Sequence, residues 1–235
     1  MMKRSSSPAS RSGASSCGYP QSVTTTADEA TARQLPPGLW DRLRLDPVRA
    51  PEHIALAAST TFAPQAQRWA DDKRARFAVE PAELAKMAKK RHATMARFEG
   101  AATGIGGIVT MVPDLVALAW IQSRVVFYIA AAYGYDPHHP MRPAELLVLH
   151  DFYPDPQSAR RALDGVGATI VEAYVGSKLQ REEALALRLA KFLGVRSARK
   201  LAGRIIPGVA IAFNAIGNER RTRQLADKAI RFYGG

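Results

Sequence analysis

The chain is short of the residues on which most secreted, metal-bound and disulfide-held folds depend. It carries a single cysteine, Cys17, inside a serine-rich leader. One thiol excludes an internal disulfide framework and a multi-cysteine zinc site, and it points to a reducing cytoplasm. No apolar stretch separates the basic start, Met1 to Arg11, from Cys17. Neither a secretion signal nor lipid attachment at that thiol is therefore expected. Long hydrophobic runs are also missing. The nearest, Ala101 to Ile121, is interrupted by Pro113 and Asp114. That disfavours a clean transmembrane helix but not a re-entrant or surface-lying hairpin. No segment alternates with period two and β-branched enrichment, which argues against strands. Acidic residues are in deficit: 33 Lys and Arg face 21 Asp and Glu, a net charge of +12. Such an excess favours an anionic partner, whether a phospholipid surface, nucleic acid or an acidic protein.

Hydrophobic residues make up 47% of the chain, enough for a sizeable core. Residues 1–36 hold almost no large apolar side chain and read as a disordered Ser/Thr/Ala-rich leader. Pro36-Pro37-Gly38 punctuates the start of a single all-helical domain over residues 37–235. Helices are predicted over Pro51 to Lys73, from Pro81 to about Phe98, after Pro113-Asp114 to Tyr133, and over Ala144 to His150. Further helices are predicted from Asp155-Pro156 to Val175-Gly176, from Gln180 to Leu193, and from Gly208 to Tyr233. Gly134 is a natural left-handed cap.

The distinctive element is an apolar helical hairpin over residues 99–134. In its second helix the few polar residues, Asp114, Gln122, Ser123 and Arg124, do not share a side. A helix that is apolar all round is buried, in a core or in lipid. Asp114 and Arg124 lie ten positions and roughly 15 Å apart, so neither can pair with the other along the helix. Each needs a partner elsewhere or an aqueous edge. Both readings stand: a central core helix with two satisfied charges, or a hairpin that meets the bilayer with Pro113-Asp114 as its bend. Gly100, Gly104, Gly106 and Gly107 lack the spacing of a dinucleotide fingerprint and the Gly-Lys-Ser/Thr ending of a phosphate loop. Small residues at Gly100-xxx-Gly104 spacing instead permit close helix–helix approach.

The last helix has one continuous stripe: Ile211, Asn214, Asn218, Thr222, Leu225, Ala229 and Phe232. Buried amides need partners. The candidates are Asp114, Gln122 and Arg124, or the interrupted backbone near Pro113. An interhelical polar network and a small-molecule or ion site from the same groups are both open. The basic residues Lys86, Lys89, Lys90 and Arg91, with Arg220, Arg221 and Arg223, are candidates for an anionic surface, or equally for a solvated face. A nucleic-acid motif is missing and aromatic interleaving is sparse.

Catalytic signatures are lacking as well. His138 and His139 are adjacent and lie between prolines. No His-x-x-x-His accompanies them or His150-Asp151, so no metal is expected. There is no Gly-x-Ser-x-Gly elbow, and Cys17 lacks a fixed base. The chain is read as non-enzymatic and without a cofactor.

An ordered series of motifs carries a resemblance. It runs Gly100 to Gly107, Val112-Pro113-Asp114, Gln122-Ser-Arg124 and Ile129-Ala-Ala-Ala-Tyr133-Gly134-Tyr135. It resembles the EcsC family pattern of a Gly-rich turn, a Pro-Asp bend, a Gln-x-Arg step and an Ile-Ala-x-x-Tyr-Gly end. Gly203-Arg-Ile-Ile-Pro207-Gly208, followed by Asn214, Asn218 and Thr222, is similar to the family's last helix. The resemblance covers about residues 75–235. It implies a protein of uncharacterised biochemistry whose namesake is encoded with an ABC transporter implicated in protein secretion, and for which membrane association is supposed. The expected role is a cytoplasmic accessory protein, peripheral on the inner face of the membrane, with an anionic membrane surface or a membrane complex as partner. The alternative is a soluble carrier holding a lipid-like or small apolar ligand between the hairpin and the last helix. The sequence leaves the oligomeric state open.

Overall fold

The computed structural model describes residues 35–102, 108–168, 178–194 and 209–235. Within them, the side chains of residues 99–102, 108–112, 114, 167–168, 178–179, 182 and 209–216 are not described. Eight α-helices and one short 3-10 turn occur among the described residues, and no strand. The chain is all-α, as its patterning predicts. The leader through residue 34, with Cys17, lies outside the described residues.

Helix α1 (Leu39–Leu45) follows Gly38, whose positive φ of 74° suits a residue without Cβ. It buries Leu39 and Leu43, four apart on one face. Asp46 then accepts the backbone N–H of Arg49 and starts the 3-10 turn Pro47–Arg49. Helix α2 (Ala50–Arg76) places Pro51 in its first turn, where no intrahelical N–H is needed. Pro64 sits inside this helix and withholds a donor from the Thr60 carbonyl. The Thr60 hydroxyl turns back to the Ala57 carbonyl at 3.0 Å. Alanines at positions 55, 58, 63, 66 and 70 are buried along α2, so neighbouring helices approach closely there.

Helix α3 (Pro81–Ala102) buries Leu84, Ala85, Ala88, His92 and Ala96, a stripe at three- and four-residue spacing. Helix α4 (Ile108–Ala132) is the apolar one. The sequence pattern places its start after Pro113-Asp114, with that step as a bend. The helix instead begins at Ile108 and runs through Pro113. A proline this close to a helix start forfeits one ladder bond, on the carbonyl four residues back, so the element continues through it. The C-terminus closes as expected. Gly134 adopts φ 85°, its N–H reaches the Ala131 carbonyl at 3.0 Å, and the Tyr135 N–H reaches the Ala130 carbonyl at 3.0 Å. This paired closure satisfies carbonyls that the helix cannot. The Arg74 guanidinium, from the end of α2, donates to the Ala131 and Ala132 carbonyls as well.

Four helices complete the fold: α5 (Arg142–Leu149), α6 (Pro156–Ala168), α7 (Lys178–Phe192) and α8 (Val209–Gly234). Asp155 caps α6 through the Ser158 N–H and hydroxyl, at 2.8 and 2.7 Å. The extension of α6 predicted to Val175-Gly176 lies beyond Ala168, outside the described residues. Helix α4 runs through the middle, against α2, α3, α7 and α8. Of the stretch Leu115–Ala132, 89% is buried within the protein, although its length and apolarity would suffice to cross a membrane. Leu115 is half-buried, while Trp120 and Val126 are covered. The apolar helix is thus the core around which the others pack.

Candidate functional site

Polar groups inside the fold gather on α4 and the helices facing it. The Gln122 side-chain amide donates to the Thr222 hydroxyl of α8 at 3.4 Å, and both residues are buried. This is one link of the α4–α8 network that the sequence suggested. The Asn218 side chain is half-buried on the same helix. The side chains of Asp114 and Asn214 lie outside the described residues. Ser123 needs no distant partner, because its hydroxyl donates to the Ala119 carbonyl at 2.8 Å.

Arg124 is fully buried. Its Nη2 donates to the Tyr128 hydroxyl one turn on, at 2.9 Å, and its guanidinium stacks over the Tyr128 and Phe62 rings at 5.0 and 5.8 Å. Electron-rich ring faces offset part of the cost of holding a cation away from water. His92 of α3 meets Tyr128 edge-on, with ring centroids 4.8 Å apart, and its Nδ1 donates to the Ala88 carbonyl at 2.8 Å. Burial, aided by the Arg124 charge, lowers its pKa to about 3, so His92 is neutral. Neither His92 nor Tyr128 is among the candidates that the sequence singles out. The four-residue spacing of Arg124 and Tyr128 was a usable signal, as was the place of His92 in the α3 apolar stripe.

Two further polar knots join distant elements. Glu52, in the first turn of α2, is 2% exposed and accepts the Tyr153 hydroxyl. Burial and the adjacent carboxylate raise the Tyr153 pKa. At the far end, Glu145 accepts from Arg142 and from the Tyr233 hydroxyl, and Arg142 lies over the Tyr135 and Tyr233 rings. Burial and Glu145 raise the Tyr233 pKa in the same way. The sequence could have shown the Arg142–Glu145 step. It holds no signal for Glu52–Tyr153, which are 101 positions apart. Each knot ties chain segments together in the manner of a structural clasp.

The loop histidines are held by local bonds. His138 donates its backbone N–H to the Asp136 carboxylate at 2.8 Å, and His139 Nδ1 accepts from the Met141 N–H at 3.3 Å. His150 is buried against Phe192, donates to its carbonyl at 3.0 Å, and has a pKa lowered to about 3 by burial. Among the described residues no cluster of three His, Cys, Asp or Glu side chains is placed to hold a metal ion.

The basic residues fall on α3 and α8. These helices run antiparallel, because Lys89 pairs with Asp227 while Arg97, further along α3, meets Glu219, earlier on α8, at 3.9 Å. Of the candidates, Lys86 is exposed and held by Glu83, Lys89 is spent on Asp227, and Arg223 is spent on Glu219 at 2.8 Å. Arg91 and Arg221 are half-buried, and burial lowers the pKa of Arg221. Lys90 and Arg220 are exposed and make no ion pair among the described residues. Gly100 lies in the last turn of α3, and Pro113 is exposed on α4. Gly104, Gly106 and Gly107 lie outside the described residues.

Fold and surface together define an all-helical domain wrapped about one apolar helix, basic outside and neutralised by local clasps within. The chain belongs to the EcsC protein family, whose pattern matches residues 51–234. The match begins earlier than the motif series suggested and takes in nearly all of α2, which lines the buried face of α4. One similar relative is the uncharacterised protein YdbA of Bacillus subtilis strain 168, 38% identical over 55 residues. That stretch is 23% of this chain and 20% of the relative, so the chain spans about a fifth of the curated relative it matches. No solved structure matches the chain.

Proposed function

We propose that the protein is a non-enzymatic accessory protein that docks peripherally on the anionic inner face of the cytoplasmic membrane. A membrane complex such as an ABC transporter, by family resemblance, would be its further partner. The observation that carries this reading is the outer surface of α3 and α8. Its described carboxylates Glu83, Glu219 and Asp227 are already matched by Lys86, Arg223 and Lys89. Lys90 and Arg220 are left over, in a chain of net charge +12. Each cation near an anionic leaflet contributes about 1 kcal/mol, and the contribution is screened by salt.

Cosedimentation with vesicles tests it. Binding is expected to phosphatidylglycerol-containing vesicles at low salt, weakening as salt rises. Failure to bind such vesicles at low salt would sink the reading. The alternative, a carrier with a lipid-like ligand between α4 and α8, draws less support from the covered Trp120 and Val126. It would show as added mass in native mass spectrometry of protein purified from cells.

A further inference from the structure

The outer face of α3 carries more than charge. Glu83, Lys86, Met87, Lys90, Thr94, Arg97 and Phe98 follow one another at steps that keep them on one side of the helix, and all are exposed. Phe98, 62% exposed, is among the most exposed large apolar side chains described, and Met87 is 42% exposed. They stand eleven residues, about 16 Å, apart along α3. Lys90 and Arg97 lie between them. From Leu84 to Phe98 the sequence holds no Asp or Glu. Glu83, the one acid on the face among the described side chains, sits at its N-terminal end and is held by Lys86; the side chain of Glu99, next after Phe98, lies outside the described residues. Helix α3 packs on α4 and α8, and this face is turned outward, with Arg97 at its border, where it meets Glu219 of α8 at 3.9 Å while staying largely exposed.

An exposed phenyl ring and a thioether separated by cations match the chemistry of a bilayer interface. The apolar groups enter the acyl boundary, and the ammonium and guanidinium groups meet phosphate. A second copy of the same face would oppose like charges. Among the other exposed apolar residues on long helices, Leu187 of α7 shares its exposed side with one acid and one base, Glu183 and Lys191, and Phe232 stands alone near the end of α8.

We infer that α3 is the docking element of the protein, lying along an anionic phospholipid surface with Met87 and Phe98 inserted and Lys90 and Arg97 at the headgroups. This rests on the membrane reading above and names the face that carries it. It leaves Lys89 and Arg223 as structural ion pairs, and α4 stays inside the fold.

The single native cysteine makes a direct test simple. In a Cys17→Ser background, Phe98→Cys and, separately, Leu187→Cys are labelled with an environment-sensitive fluorophore. Each is mixed with phosphatidylcholine vesicles with and without phosphatidylglycerol. With anionic vesicles the label at position 98 should shift to the blue and brighten severalfold, and that at 187 should not. In the unlabelled chain, Met87→Ser with Phe98→Ser should lower vesicle affinity about tenfold or more while circular dichroism and melting stay unchanged. If the wild-type chain binds anionic vesicles but the position-98 label stays in water, this inference fails and the membrane reading survives. If the wild-type chain binds no vesicle, both fail. A doubling of mass in sedimentation that Phe98→Ser abolishes would assign the face to a second copy instead and overturn the inference.

Discussion

His92 and His150 are neutral groups sealed inside the fold, each with its pKa lowered from 6.5 to about 3, chiefly by burial. Below about pH 6.5 the unfolded chain therefore binds two protons that the native state refuses. Stability falls as pH drops through this range and stops falling, on this account, below about pH 3. At about pH 5 each histidine should cost about 2 kcal/mol relative to neutral pH. Urea denaturation at about pH 7.5 and about pH 5 measures it; an unchanged midpoint would contradict the neutral, buried assignment. Gln122 and Thr222 offer a second check at this scale. Thr222→Val removes the acceptor of a buried amide and should cost about 1–2 kcal/mol. Adding Gln122→Leu should recover most of that loss, because the orphaned amide is then gone as well. Equal, additive losses in denaturant melts would mean that the two side chains do not interact.

At the scale of the elements, the end of α4 rests on a glycine with nothing near its missing side chain and a φ of 85°. Gly134→Ala should lower stability by about 1 kcal/mol from backbone strain alone. A melting temperature equal to that of the wild-type would place the strain elsewhere. Most of the helices were legible because their signals are local. Pro51, Pro81 and Pro143 in first turns, Gly134 at an end, and three- and four-residue stripes all operate within one helix. Pro113 misled because a proline in an apolar run reads as a break. Near a helix start the loss is a single bond, and packing on α2 and α3 holds the element together. Pro64 is different: it sits mid-way along α2, where the helix runs on despite the ladder bond withheld from the Thr60 carbonyl. The polar interior was half legible. Gln122 and Thr222 could be nominated from stripes on two helices. Their pairing, and the join of Glu52 to Tyr153, depend on how helices far apart in sequence come together. Cation availability on α3 and α8 was not legible at all. Whether a lysine is free or spent, as Lys90 and Lys89 are, depends on an acid across the helix interface.

For the whole molecule, an apolar helix long enough to span a bilayer is wrapped by its own domain, and the docking proposed above is assigned to a basic outer face. The two roles are separable, and Trp120 reports on the first. It sits mid-way along α4, 1% exposed, with its ring 4.4 Å from that of Phe62. With Trp40 and Trp69 replaced by Phe, Trp120 is the only tryptophan left in the chain. Its emission can then be followed as the protein binds anionic vesicles whose acyl chains carry bromine. The account predicts bound protein, confirmed by sedimentation of the same samples, with Trp120 emission unquenched at every bromine depth. Strong quenching by bromines deep in the acyl region would mean that α4 leaves the fold for the bilayer, and would contradict the account.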